Sequence, residues 1–125
     1  MTSSRPRWFW LLLTAGVVGC ALFACDDEPR RGFVGVQGPT VGGPCINNLD
    51  CSSGSFCAEG GDYPEGTCTL PCDDHGDCPS GTACVDRLNG VCLLECNRDS
   101  DCRGGYSCKE RKDEGDNGDS LVCIK

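Results

Sequence analysis

Cysteine is the residue with the greatest capacity for chemistry here, at 14 of 125 positions. A cysteine can ligate metal, act as a nucleophile, carry an acyl chain or close into a disulfide. Spacing separates these roles. Twelve of the cysteines fall into three copies of one pattern. The copies are Cys45-x5-Cys51-x5-Cys57-x10-Cys68, Cys72-x5-Cys78-x5-Cys84-x7-Cys92 and Cys96-x5-Cys102-x5-Cys108-x14-Cys123. No Cys-x2-Cys knuckle of the kind used by zinc and redox sites occurs, so neither metal ligation nor thiol catalysis is expected. Twelve cysteines then imply six disulfides and an oxidising compartment. Four cysteines per copy allow three connectivities.

Other reactive side chains are few. His75 is the single imidazole, and no Gly-x-Ser-x-Gly, His-Glu-x-x-His or phosphate-binding loop accompanies it. It reads as a surface residue in a charged turn, and neither a catalytic site nor a cofactor is expected. Two acidic clusters, Asp73–Asp77 and Asp113–Asp119, raise calcium as a minor alternative. Gly115 sits where the EF-hand pattern needs a ligand, so the second cluster reads as a solvated, mobile hairpin tip.

The elements that position the cysteines follow from the repeat. The half-module Cys-x4-Asp-Cys, with Asp50, Asp77 or Asp101 before the second cysteine, should form a compact turn or one helical turn. The aspartate would accept backbone N–H bonds as an Asx-turn or cap. The gap before the fourth cysteine varies, as the tip of a β-hairpin would. Thr82–Val85 and Val91–Leu94 are β-prone runs, and Asn89-Gly90 between them suits a type I′ turn. The third and fourth cysteines would face each other across the hairpin, and each could clasp one cysteine of the turn. This favours first-to-third and second-to-fourth pairing: Cys45–Cys57, Cys51–Cys68, Cys72–Cys84, Cys78–Cys92, Cys96–Cys108 and Cys102–Cys123.

Upstream lies an address. Arg5 and Arg7 precede an uncharged apolar run, Trp8 to Ala24, as in a secretory signal helix over residues 1–24. The run is at the short limit for a membrane span, so a retained anchor helix is the alternative. Val17-Val18-Gly19-Cys20 and Leu22-Phe23-Ala24-Cys25 each resemble the lipobox of bacterial lipoproteins, where the cysteine is diacylated and the signal cut before it. Cys25 is favoured, with Cys20 the alternative, because cleavage at Cys25 leaves charged Asp26-Asp27-Glu28 directly after the lipid. Two acyl chains anchor a protein stably without a spanning helix. Residues 25–44 hold several glycines and prolines and read as a flexible tether, with a short edge strand at 33–36 as the alternative. Three modules follow, at 45–71, 72–95 and 96–125.

The cysteine spacing, with acidic residues before the second cysteine, resembles the N-terminal cysteine-rich domain of Dickkopf proteins. The resemblance implies the same first-to-third, second-to-fourth pairing. Similar repeats occur in cysteine-rich lipoproteins of myxobacteria and their relatives. The likeness rests on spacing alone, and the tandem copies and the lack of an adjacent Cys-Cys pair depart from the Dickkopf pattern.

Composition bounds what such a body can do. Between residues 45 and 123 there are three aromatics, Phe56, Tyr63 and Tyr106, too few for a large hydrophobic core. The net charge of −8 argues against a nucleic-acid partner. The chain is expected to be a small disulfide-rich protein of three tandem turn-plus-hairpin modules in the bacterial envelope, facing the periplasm or the cell exterior. Its expected role is non-catalytic protein binding or adhesion, through tips at Tyr63, Arg87, Leu88 and Arg111. A protease inhibitor presenting Arg87, or a surface spacer, is the alternative.

Overall fold

A computed structural model of the chain describes residues 33–125. The expected signal helix, Cys20 and Cys25 lie outside the described residues. Each module opens with one turn of 3-10 helix, at Asn48–Asp50, His75–Asp77 and Asp99–Asp101. An antiparallel hairpin follows each turn: β1 (Phe56–Ala58) with β2 (Thr67–Thr69), β3 (Thr82–Val85) with β4 (Val91–Leu94), and β5 (Ser107–Lys112) with β6 (Asp119–Ile124). Register sets Cys57 opposite Cys68, Cys84 opposite Cys92 and Cys108 opposite Cys123. The bridges are Cys45–Cys57, Cys51–Cys68, Cys72–Cys84, Cys78–Cys92, Cys96–Cys108 and Cys102–Cys123. Every turn is thus stapled to both strands of its own hairpin. By chain-entropy arguments each such loop contributes on the order of 3 kcal/mol.

Side chains fix each turn further. Asp50 Oδ2 accepts from the backbone N–H of Ile46 (2.7 Å) and Asn47 (3.2 Å). Asp101 does the same for Asn97 and Arg98, and Asp77 for Asp73. The aspartate therefore acts from the third position of the turn, reaching back to its start, rather than as the cap residue itself. The Asn97 N–H, then desolvation and the Arg98 N–H, set the balance that holds the Asp101 carboxyl below its ordinary range.

The modules are not independent beads. Ala58 and Tyr63 from the first, Ala83, Val85, Val91 and Leu93 from the second, and Val122 and Ile124 from the third bury one shared core. Each buried Val, Leu or Ile contributes roughly 1.5–3 kcal/mol, and neither partner module could bury it alone. The backbone follows the same plan. The segment before each module's first cysteine pairs with that module's second strand. Cys68 N–H donates to Gly43 O (2.8 Å), Cys92 N–H to Leu70 O (3.0 Å), and Glu95 bridges Val122. Lys125 N–H donates to Asp62 O, which ties the last module back to the first.

This arrangement corrects the tether. Over its described part, residues 33–44, the chain is folded onto the modules. Val34 and Val41 form a parallel bridge, and Val41 is fully buried against Cys72, Cys84 and Cys92, with Leu70 and Leu94 beside it. Gly42 is there for close approach, not looseness. At φ +102, a Cβ on it would strike Gly35 O and the Leu94 side chain. The 33–36 segment contributes one bridge at Val34 and no strand.

The tip of the second hairpin is shifted by one residue from the expected turn. Gly90 N–H donates to Arg87 O (2.8 Å), so Leu88 (φ +49) and Asn89 (φ +64) are the central residues. Both are left-handed, as a type I′ turn requires. Gly90 is displaced from the centre because its carbonyl accepts from Cys72 N–H at the module boundary.

Candidate functional site

The expected contact tips divide on inspection of their surroundings. Tyr63 is a correction: it is only 3% exposed and belongs to the shared core. Its pKa is pushed up to about 12, by burial first and by Asp62 second. Arg87 is partly exposed and lies 3.9 Å from Asp62, while Leu88 is exposed beside it. Arg111 is half-buried in β5, with its Nε enclosed. Antiparallel pairing of Val85 with Asp113, and of Asp86 N–H with Lys112 O, sets Arg87 beside Arg111. Both guanidinium charges lie near enough to Tyr63 to oppose the rise in its pKa. The tips thus meet at a junction of the three modules instead of projecting separately.

The two acidic clusters also meet. The Asp113–Asp119 tip folds over the turn of the second module, and Asp113 is 7% exposed. A Cβ on Gly115 would collide with Asp73 O, so the tip seats directly on that turn. Residues 115–119 stay exposed, as expected of a solvated tip, while its base at Asp113 and Glu114 is anchored on the second module. His75 lies between the clusters, with Nε2 3.2 Å from Asp113 Oδ2 and 3.7 Å from Asp116 Oδ2.

The role of His75 comes from its other nitrogen. Cys84 N–H donates to His75 Nδ1 (3.0 Å). At the same place in the sister modules, Cys57 N–H donates to Asn48 Oδ1 (2.9 Å) and Cys108 N–H to Asp99 Oδ1 (2.8 Å). The third residue after each first cysteine is therefore an acceptor that locks the turn to its hairpin. Aligning the three copies would have exposed this slot as Asn, His and Asp. Because Nδ1 accepts, the proton of the neutral ring sits on Nε2 and faces Asp113. A protonated Nε2 has no lone pair for a metal, so His75 is a structural clasp in this geometry.

The sulfurs of Cys45, Cys51 and Cys68, of Cys72, Cys78 and Cys84, and of Cys96, Cys102 and Cys123 each lie within 4.8 Å of one another. All are committed to disulfides, whereas metal ligation requires thiolates.

The two most exposed large apolar residues lie elsewhere. Ile46 precedes the first module's turn and Leu49 lies within it, and they are 83% and 93% exposed. Ile46 lines an open groove of about 550 Å³ with Glu59, Tyr63, Pro64 and Glu65. The groove takes in the expected tip around Tyr63 and Pro64, whereas Ile46 and Leu49 are not among the expected contact residues. No protein family, curated protein or solved structure matches the chain.

Proposed function

We propose that the chain is a lipid-anchored extracytoplasmic protein whose stapled modules form a non-catalytic binding or adhesion body. The observation that carries this reading is the set of six bridges holding a small shared core. Such a scaffold suits an oxidising compartment outside the cytoplasm. It also presents loops of fixed shape, which lose little entropy on docking. The lipobox-like Cys25, with Cys20 as the alternative, supplies the anchor in this reading.

Palmitate labelling of the expressed chain tests the anchor. Label is expected on the wild type and lost in Cys25→Ala, and label that survives that change but vanishes in Cys20→Ala would move the site. Crosslinked capture from envelope extract tests the binding role. A saturable partner is expected, and its absence under several growth states would leave the spacer reading in its place.

Tip geometry speaks against the inhibitor alternative. Proteases take substrate loops as extended strands. The bond after Arg87 leads into two left-handed residues, Leu88 and Asn89. No inhibition of trypsin-like proteases at micromolar protein is expected.

A further inference from the structure

The three modules serve as controls for one another. The turn of the first module reads Cys45-Ile46-Asn47-Asn48-Leu49-Asp50-Cys51. At the positions of Ile46 and Leu49 the second module has Asp73 and Gly76, and the third has Asn97 and Ser100. All three turns adopt the same 3-10 form, with the same aspartate acceptor and the same staples. The fold therefore does not require Ile46 or Leu49. Two large aliphatic side chains nonetheless stand in water, three residues apart on a turn whose backbone is held by Cys45–Cys57 and Cys51–Cys68. Each loses its hydration cost only when something covers it.

Charge narrows what that cover can be. The groove beside Ile46 carries the exposed carboxylates Glu59 and Glu65. Neither has an ion-pair partner among the described residues. We infer that the Ile46–Leu49 turn and this groove dock a segment of a partner protein that presents an apolar side chain flanked by Lys or Arg. The apolar residue covers Ile46 and Leu49, and the cations meet Glu59 and Glu65. An anionic membrane surface fits less well, because those carboxylates would be pressed against like charge, and interfacial anchors carry basic flanks where this patch carries acidic ones. The inference rests on the binding role proposed above and names the surface and partner chemistry for it.

Panning a random-peptide display library against the full chain in detergent tests this surface. Enriched peptides should place an apolar residue beside Lys or Arg. Their affinity should fall at least about ten-fold in Ile46→Asp/Leu49→Gly, and fall less in Glu59→Gln/Glu65→Gln. Ile46→Asn/Leu49→Ser is the companion variant. Both double changes install residues that the sister turns already accept, and an intact mass with six bridges verifies folding. Peptides that bind these variants as well as the wild type would overturn the inference, as would enrichment without that signature. Loss of the two aliphatics that instead abolishes binding to anionic phospholipid vesicles would also overturn it. If an envelope partner is captured equally by wild type and variants, the binding role stands and this surface falls. If neither peptide nor partner is found, both fall.

Discussion

Two tyrosines separate packing from hydrogen bonding. The Tyr63 hydroxyl is buried with no hydrogen-bond partner among the described residues. The Tyr106 hydroxyl accepts from Arg103 Nη2 (2.8 Å) and donates to Pro64 O (3.1 Å), with the guanidinium 4.6 Å over its ring. Removing an unpaired buried hydroxyl costs little, whereas removing a paired one strands its partners. Tyr63→Phe should therefore change unfolding stability by less than about 0.5 kcal/mol, and Tyr106→Phe should cost about 1–2 kcal/mol, read from denaturant midpoints. The pH dependence has a definite sign. The fold keeps Tyr63 protonated up to about 12, above its ordinary value of 10.0. Between those values the unfolded chain ionises first, so stability present below pH 10 is lost as pH rises toward 12. Tyr63→Phe should flatten that alkaline loss, and an unchanged slope would show that the phenol is not held protonated by the fold.

Among the elements, the turn-to-hairpin lock is the part most nearly legible in the sequence. Equal spacing between the first three cysteines, and the aspartate before each second cysteine, carry local information that a one-turn helix and a hairpin can use directly. What lay beyond the sequence was contact between modules. Tyr63 reads as a loop residue among glycines and acids, but it joins Val85, Val91 and Ile124 in one buried cluster once three hairpins share a core. Gly42 reads as a linker residue, yet it allows backbone to pack on Leu94. The lock itself makes a graded test. His75→Asn reproduces the acceptor of the first module but not the contact with Asp113, and should cost clearly less than His75→Ala, which should cost about 1–2 kcal/mol. Equal losses in thermal unfolding would mean that the acceptor does not matter. Gly115→Ala probes the seating of the third tip on the second module. Its Cβ has no room at Asp73 O and its φ is +76, so a loss of about 1–3 kcal/mol is expected. A neutral result would show that the tip does not sit there.

At the scale of the whole molecule, three short hairpins are each too small to stand alone. An isolated two-stranded hairpin is marginal in water, and disulfides restrain a module's chain without giving it an interior. The core instead draws on all three modules, and the segments preceding each first cysteine extend the pairing across their boundaries. The body should therefore open as one unit even with every bridge intact. Native-state hydrogen exchange under rising denaturant measures this most directly. The buried strand amides of Ala58 in the first module, Leu93 in the second and Val122 in the third should merge onto one opening free energy with one denaturant slope. Three separate opening energies, one per module, would contradict a shared core and return the protein to a string of independent stapled units.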